Sequence, residues 1–164
     1  MNNNAETKIL ILYSTKYGST EQYAMWIAED IQADLFKIVD FDKDRLDQYN
    51  AVVIGSPTYM GKILTKDFLE KNWDVLKTKP VFLFNTGLFP GDSSESKKSF
   101  EMIPEHIRTH IEYIKIPGKI EMKKLTFAEK MIAKMVKTDK LDKVRKDQII
   151  PIIDWAKKLG THIR

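Results

Sequence analysis

Cysteine is absent from this 164-residue chain. Its absence excludes a disulfide framework, a thiolate metal site and a catalytic thiol, and it fits a reducing cytosolic setting. Long hydrophobic runs are missing as well. The N-terminus, MNNNAETK, is polar and the first apolar run, ILILY, is short, so no signal peptide is expected. Nothing approaches the ~18 consecutive apolar residues of a membrane span. Histidine is scarce, and His106, His110 and His162 form no metal pattern with nearby carboxylates. His106 and His110 stand four apart on one expected helix, but no third ligand accompanies them, so no metal site is expected. No Ser/His/Asp set can be assembled either. The chain has no internal repeat, no low-complexity tract and no linker long enough to divide it.

What is present is an ordinary globular composition, 43% hydrophobic and 30% charged, in a length that suits one domain with a substantial core. The formal net charge is +4, and it is unevenly placed. Lys115 to Lys146 holds eleven Lys/Arg and four Asp/Glu, a local balance of +7, which leaves −3 for the remainder. An acidic body with one basic segment differs from a uniformly basic protein.

KILILY (Lys8 to Tyr13) reads as a strand buried on both faces. Ser19 to Ala33 reads as a helix with Tyr23, Ile27 and Ile31 on one side, and Ser19 followed by Gln22 has capping-box spacing. DLFKIV (Asp34 to Val39), AVVIG (Ala51 to Gly55), VFLFNTG (Val81 to Gly87) and YIKI (Tyr113 to Ile116) read as further strands. Helices are expected near Thr65 to Lys79, Glu95 to Thr109 and Gln148 to Gly160. Trp26, Trp73 and Trp155 fall on helices, where they read as packing residues. Five short apolar strands alternating with helices call for an α/β fold of three layers, a five-stranded parallel sheet with helices on both faces. Order 2-1-3-4-5 is the simplest topology. The expected organisation is a single domain over 1–164 with a basic helical insert at about 117–146.

In such a sheet ligands sit beyond the carboxyl ends of the strands where strand order reverses. The loops that meet there are STKYGST, SPTYMGK and TGLFPGDSS. The first packs the hydroxyls of Ser14, Thr15, Ser19 and Thr20 around Gly18, immediately before a helix. A helix N-terminus with hydroxyl donors and a glycine suits a phosphate group. The GxxxxGK[ST] signature of nucleoside triphosphate sites and the GxGxxG of dinucleotide sites are both missing. The acidic cluster that a phosphorylatable receiver domain needs at the ends of strands one and three is also missing.

YSTKYGSTEQYAMWIAEDI resembles the phosphate-binding segment of flavodoxins, the small FMN-binding electron carriers. AVVIGSPTYMG resembles the segment with their first flavin loop, and FNTGLFPGDSS sits where their second lies. The resemblance implies a flavodoxin-like fold and FMN as cofactor. It implies that Thr15, Lys16, Tyr17, Gly18, Ser19 and Thr20, with Ser14 beside them, enclose the phosphate. Ser56, Pro57, Thr58 and Tyr59 would line the ribityl chain and one flavin face, with Met60 and Gly61 completing that loop. Asn85, Thr86 and Gly87 would approach the pyrimidine edge, followed by Leu88 and by Phe89 in the place of an outer-face aromatic. Lys16 and Tyr17 depart from the Thr or Ser usual in flavodoxins. The flavin would be the reactive group, and no side chain is expected to act as acid, base or nucleophile.

STKYGST, GSPTYMGK and the long basic insert also resemble the flavodoxin-like protoporphyrinogen dehydrogenases, FMN enzymes that use quinone as acceptor. FAEKMIAKMVK (Phe127 to Lys137) would match their basic helix and IIDWAKKL (Ile152 to Leu159) their last helix, whereas Tyr59 and Met60 replace their basic-aromatic pair. Within LTFAEKMIAKMVK, Ala128, Met131, Ile132, Met135 and Val136 share one side and Lys130, Lys134 and Lys137 the other. Such a helix either packs on the domain or lies on an anionic membrane surface. The expected partners are therefore a redox partner protein or a quinone, with peripheral membrane contact through 125–137 on the inner face. Nucleic acid is not expected, because no aromatic platform accompanies the charge.

Overall fold

The computed structural model describes residues 6–119, 125–135 and 143–160. Five parallel strands form its centre: β1 (Ile9–Tyr13), β2 (Asp34–Lys37), β3 (Ala51–Tyr59), β5 (Val81–Gly87) and β6 (Glu112–Pro117). Their order is β2-β1-β3-β5-β6, the expected topology, and the two-residue β4 (Lys62–Ile63) pairs antiparallel with the end of β3. The register is continuous, with Tyr13 opposite Gly55, Ser56 opposite Asn85 and Asn85 opposite Lys115.

Successive side chains of a strand point to opposite faces, and this alternation divides the core in two. Ile9, Ile11, Tyr13, Val53, Phe82 and Phe84 face helices α1 (Ser19–Ile31) and α7 (Ile150–Lys158) through Tyr23, Ile27, Ile152 and Ala156. Leu10, Leu12, Val52, Ile54 and Leu83 face the other layer, where Leu69 and Leu76 come from α2 (Lys66–Lys71) and α3 (Trp73–Leu76). Ile107 of α5 (Glu105–Arg108) packs there too, and α4 (Ser94–Glu101) precedes it. Both faces of the sheet are buried, so the strands read as unbroken apolar runs.

Several boundaries differ from expectation. The helix expected over Thr65 to Lys79 is two short helices, broken at Asn72, whose side-chain amide donates to the Phe68 carbonyl at 2.8 Å. The helix expected over Glu95 to Thr109 is also two, α4 and α5, because Pro104 has no N–H to continue the ladder. The last helix starts at Ile150 after a 3-10 turn over Lys146–Ile149. The strand expected to reach Val39 ends at Lys37 and gives way to a 3-10 turn. β3 runs four residues past the expected Gly55, through Pro57 to Tyr59. Proline stands where the pairing of β3 with β1 has stopped, at Gly55, and its carbonyl still accepts from the Leu64 N–H at 3.2 Å.

The tryptophans pack as expected: Trp26 and Trp155 against one core layer, Trp73 against the other. His106 and His110 lie at the surface on the edge of Trp73, and among the described residues no cluster suited to a metal ion occurs. His162, Val136, Lys137 and the side chains of Ile132 and Met135 lie outside the described residues.

Candidate functional site

The reversal of strand order falls between β1 and β3, and α1 begins there. Gly18 holds the position before the helix at φ 88°, a left-handed conformation that costs glycine nothing. The Gly18 N–H donates to Thr15 Oγ1 at 3.0 Å, and its carbonyl takes the first helical bond, from Gln22 N–H, at 3.0 Å. No side chain caps this helix. The capping box expected from Ser19 and Gln22 is therefore not formed: Gly18 occupies the cap position, and Ser19 is already the first helical residue. A helix start without a side-chain cap presents N–H groups and the positive end of its dipole to whatever anion arrives. Ser19 lines the cleft there, and the Thr20 hydroxyl is buried against that of Thr86 at 2.8 Å, which ties the start of α1 to the end of β5.

The end of β3 supplies the second wall. Ser56 points into the protein, donating to the Pro57 carbonyl at 3.2 Å and accepting from Thr65 N–H at 3.0 Å. Thr58 and Tyr59 face the cleft. A two-residue turn then reverses the chain into β4, with Met60 at φ 48° and Gly61 at φ 76°. Positive φ at both central residues is the hairpin turn whose twist matches that of the strands. The Lys16 ammonium rests on the Tyr59 ring, 2.9 Å from its centroid, with the Tyr17 ring centroid 5.6 Å away. The first loop is thereby fastened to the second by a cation–π contact.

At the end of β5, Asn85 is fully buried and works as a hub. Its amide N–H donates to the Ser56 carbonyl at 2.9 Å, and its Oδ1 accepts from Thr58 Oγ1 at 2.8 Å and from Lys115 Nζ at 2.8 Å. Lys115 Nζ also donates to Thr58 Oγ1 at 2.9 Å. Burial pushes the Lys115 ammonium down to about 8 and the nearby Tyr113 phenol up to about 12. Gly87 leaves room for that ammonium: a Cβ there would lie 2.7 Å from Nζ. Gly118 N–H donates to the Gly87 carbonyl at 3.0 Å, bringing the end of β6 level with that of β5. Buried Leu125 packs against Tyr17 and Leu88 and closes one side of the opening.

Two adjoining clefts result. One, of about 620 Å³, lies between Tyr17, Ser19, Pro57, Tyr59, Thr86 and Gly87, with Lys119 and Leu125 at its margin. The other, of about 890 Å³, lies between Met60, Gly61, Leu88, Phe89, Glu95 and Lys115. Thr58, Met60 and Leu88 border both. Of the residues singled out in the sequence, Ser14, Thr15, Lys16, Gly18, Thr20, Ser56 and Asn85 line neither opening. Thr15, Gly18, Ser56 and Asn85 build the backbone frame behind the walls. Lys115, Gly118, Lys119 and Leu125 were not foreseen. Lys115 had a signal: a cation inside YIKI, a strand otherwise apolar and expected to be buried.

This arrangement suits a ligand with an anionic end and a planar body. The start of α1 suits the anion. The space between the β3 and β5 ends, where the walls are aromatic and aliphatic and backbone polar groups come close, suits the body. Flavin mononucleotide has that form.

Comparison with known proteins agrees. The model of the flavodoxin domain family matches residues 10–147. An uncharacterized protein of Methanocaldococcus jannaschii is 37% identical over 87 residues, 51% of this chain and 56% of that one. A flavodoxin of Pseudomonas aeruginosa is 35% identical over 63 residues, 35% of this chain and 34% of its own. The chain thus spans about half the length of the first relative and a third of the second. Among solved structures, the Trp repressor binding protein of Bacillus subtilis aligns with a TM-score of 0.51 over 68% of this chain and 85% of that one, at 17% identity, and so shares the fold. The chain belongs to the flavodoxin domain family.

Proposed function

We propose that this protein is an electron-transfer flavoprotein that holds one FMN noncovalently at the carboxyl ends of β1, β3 and β5. The observation that carries this reading is the α1 start, free of a side-chain cap, beside a slot with aromatic and aliphatic walls at the switch point. Bound FMN supplies the redox chemistry. The protein's own residues bind and orient. Ser19 and the first-turn N–H groups that follow Gly18 take the phosphate, Thr58 and Tyr59 take the body of the ligand, and Thr86 and Gly87 present backbone to its polar edge. Residues 1–164 are read as one domain, with 117–146 as a basic insert.

The acceptor is a redox partner protein in the simpler case. A second reading, a quinone-dependent protoporphyrinogen dehydrogenase, draws support from α6 (Phe127–Met135). Phe127 is 81% exposed and Met131 52% exposed, and Lys130 and Lys134 are exposed on the same helix. Apolar side chains left in solvent beside lysines suit a membrane surface or a hydrophobic substrate better than they suit a packed helix.

The test is an absorption spectrum of the purified protein after incubation with FMN and removal of free flavin. Flavin bands at about one per chain support the reading; a colourless protein that leaves FMN fluorescence unquenched ends both versions. The second reading further requires protoporphyrinogen oxidation only when quinone is supplied, and its loss when residues 125–137 are deleted.

A further inference from the structure

Lys115 stands inside a parallel sheet, opposite Asn85 on the neighbouring strand. A lysine in such a place ordinarily runs its chain out to water or pairs with a carboxylate. This one does neither. Its ammonium is turned inward to two neutral acceptors, Asn85 Oδ1 at 2.8 Å and Thr58 Oγ1 at 2.9 Å. Asn85 is itself locked in place by its bond to the Ser56 carbonyl. Among the described residues no carboxylate forms an ion pair with Lys115, and the third N–H donor has no partner. A cation drawn out of water without a counter-charge is costly, yet Gly87 leaves the space it occupies and two side chains hold it. The ammonium lies against Gly87, which lines the first cleft, and it lines the second itself. The other ionisable groups of the two clefts are Tyr17, Tyr59 and Lys119 in the first and Glu95 in the second, with Lys16 over the Tyr59 ring and Tyr113 behind Asn85.

We propose that Lys115 is the counter-charge of the site: its fixed ammonium shifts the protein's preference toward reduced FMN, relative to the same site without that charge. The inference rests on FMN as the occupant. Adding two electrons and one proton to the neutral oxidised ring leaves one negative charge on it, the electrons coming from an external reductant. A cation held partly out of water lowers the free energy of that anion and does little for the neutral ring. Because the cation is fixed before reduction, no reorganisation is needed when the charge appears.

The experiment compares the FMN-loaded full chain with Lys115→Met and Lys115→Gln. Dissociation constants for oxidised FMN come from fluorescence quenching, and midpoint potentials at neutral pH from spectroelectrochemistry with dithionite as reductant. Replacing a buried charge by an apolar side chain of similar size is commonly neutral or stabilising, so Lys115→Met is expected to fold. Lys115→Gln, which keeps a donor, is the second variant, and thermal unfolding checks both. Both are expected to hold oxidised FMN within about threefold of the unsubstituted protein and to lose at least about tenfold in preference for the reduced form. In potential this is a fall of about 30 mV for each tenfold in a two-electron couple. Variants that bind FMN with an unchanged potential overturn the inference and leave the flavoprotein reading standing. Failure of the unsubstituted protein to bind FMN overturns both.

Discussion

At the residue scale, Lys115 should leave a mark on stability as well as on redox behaviour. Burial holds its ammonium down to about 8 in the fold, against about 10.4 in an unfolded chain. Between those values the unfolded chain binds more protons, so stability rises with pH. Tyr13, Tyr49 and Tyr113 act in the opposite sense. Burial raises each to about 12, helped at Tyr13 by its bond to Glu21 and at Tyr49 by its bond to Asp34. Their contribution is complete below about 10, the ordinary tyrosine value, and is lost as the pH climbs through the folded values. Urea denaturation as a function of pH should therefore show stability climbing from about pH 8, cresting near 10 and falling beyond. Lys115→Met should flatten the climb and keep the fall; a variant that climbs as the parent does would place the buried charge elsewhere. STKYGST stood out in the sequence because hydroxyls and a glycine gather there just before a helix start. The sequence hid the division of labour among those residues. Ser56 and Thr58 share strand parity, so alternation does not tell that Ser56 turns to the Thr65 N–H while Thr58 lines a cleft, and the strand was expected to end at Gly55.

At the scale of elements, the turn that joins β3 to β4 is under local strain. Met60 sits at φ 48°, where its Cβ crowds the following carbonyl, and its side chain is 54% exposed. Asparagine and glycine take this conformation more cheaply. Met60→Asn should raise stability by about 1 kcal/mol, read from the urea midpoint at unchanged slope. An unaltered midpoint would mean that the turn is relaxed in solution. Non-glycine residues kept at positive φ gather at ligand sites, so FMN affinity should be followed in the same variant. The five parallel strands could be read because each is a short apolar run between polar loops. The breaks at Asn72 and Pro104 could not be separated from continuous helices by periodicity, since the apolar spacing carries on across both. The β4 pairing was invisible: two residues are too few to show alternation.

For the whole molecule, uneven charge was the most informative number in the sequence, and the structure gives part of it a place. Lys130 and Lys134 lie exposed on α6 with Phe127 and Met131, and among the described residues no helix is long and apolar enough to cross a membrane. If α6 lies on a lipid surface, the chain should sediment with phosphatidylglycerol vesicles, less so as salt is raised. The pair Phe127→Ser and Met131→Ser should then weaken that binding about tenfold or more while leaving FMN affinity within experimental error. Absence of sedimentation at low salt would return the helix to a role in docking a protein partner. The expected helix over Leu125 to Lys137 meets α6 at Phe127–Met135, but the exposure of Phe127 and Met131 is set by packing, which no local pattern encodes.

The order β2-β1-β3 has a consequence for a chain emerging from the ribosome. β1 and β2 are complete once residue 37 has been made, yet the other side of β1 waits for residues 51–55. In that interval five consecutive apolar residues, Ile9 to Tyr13, present an open strand edge, the kind of surface to which a second nascent chain can add itself. The place where the sheet parts to admit a ligand is thus also where the half-made protein is most exposed to its own copies.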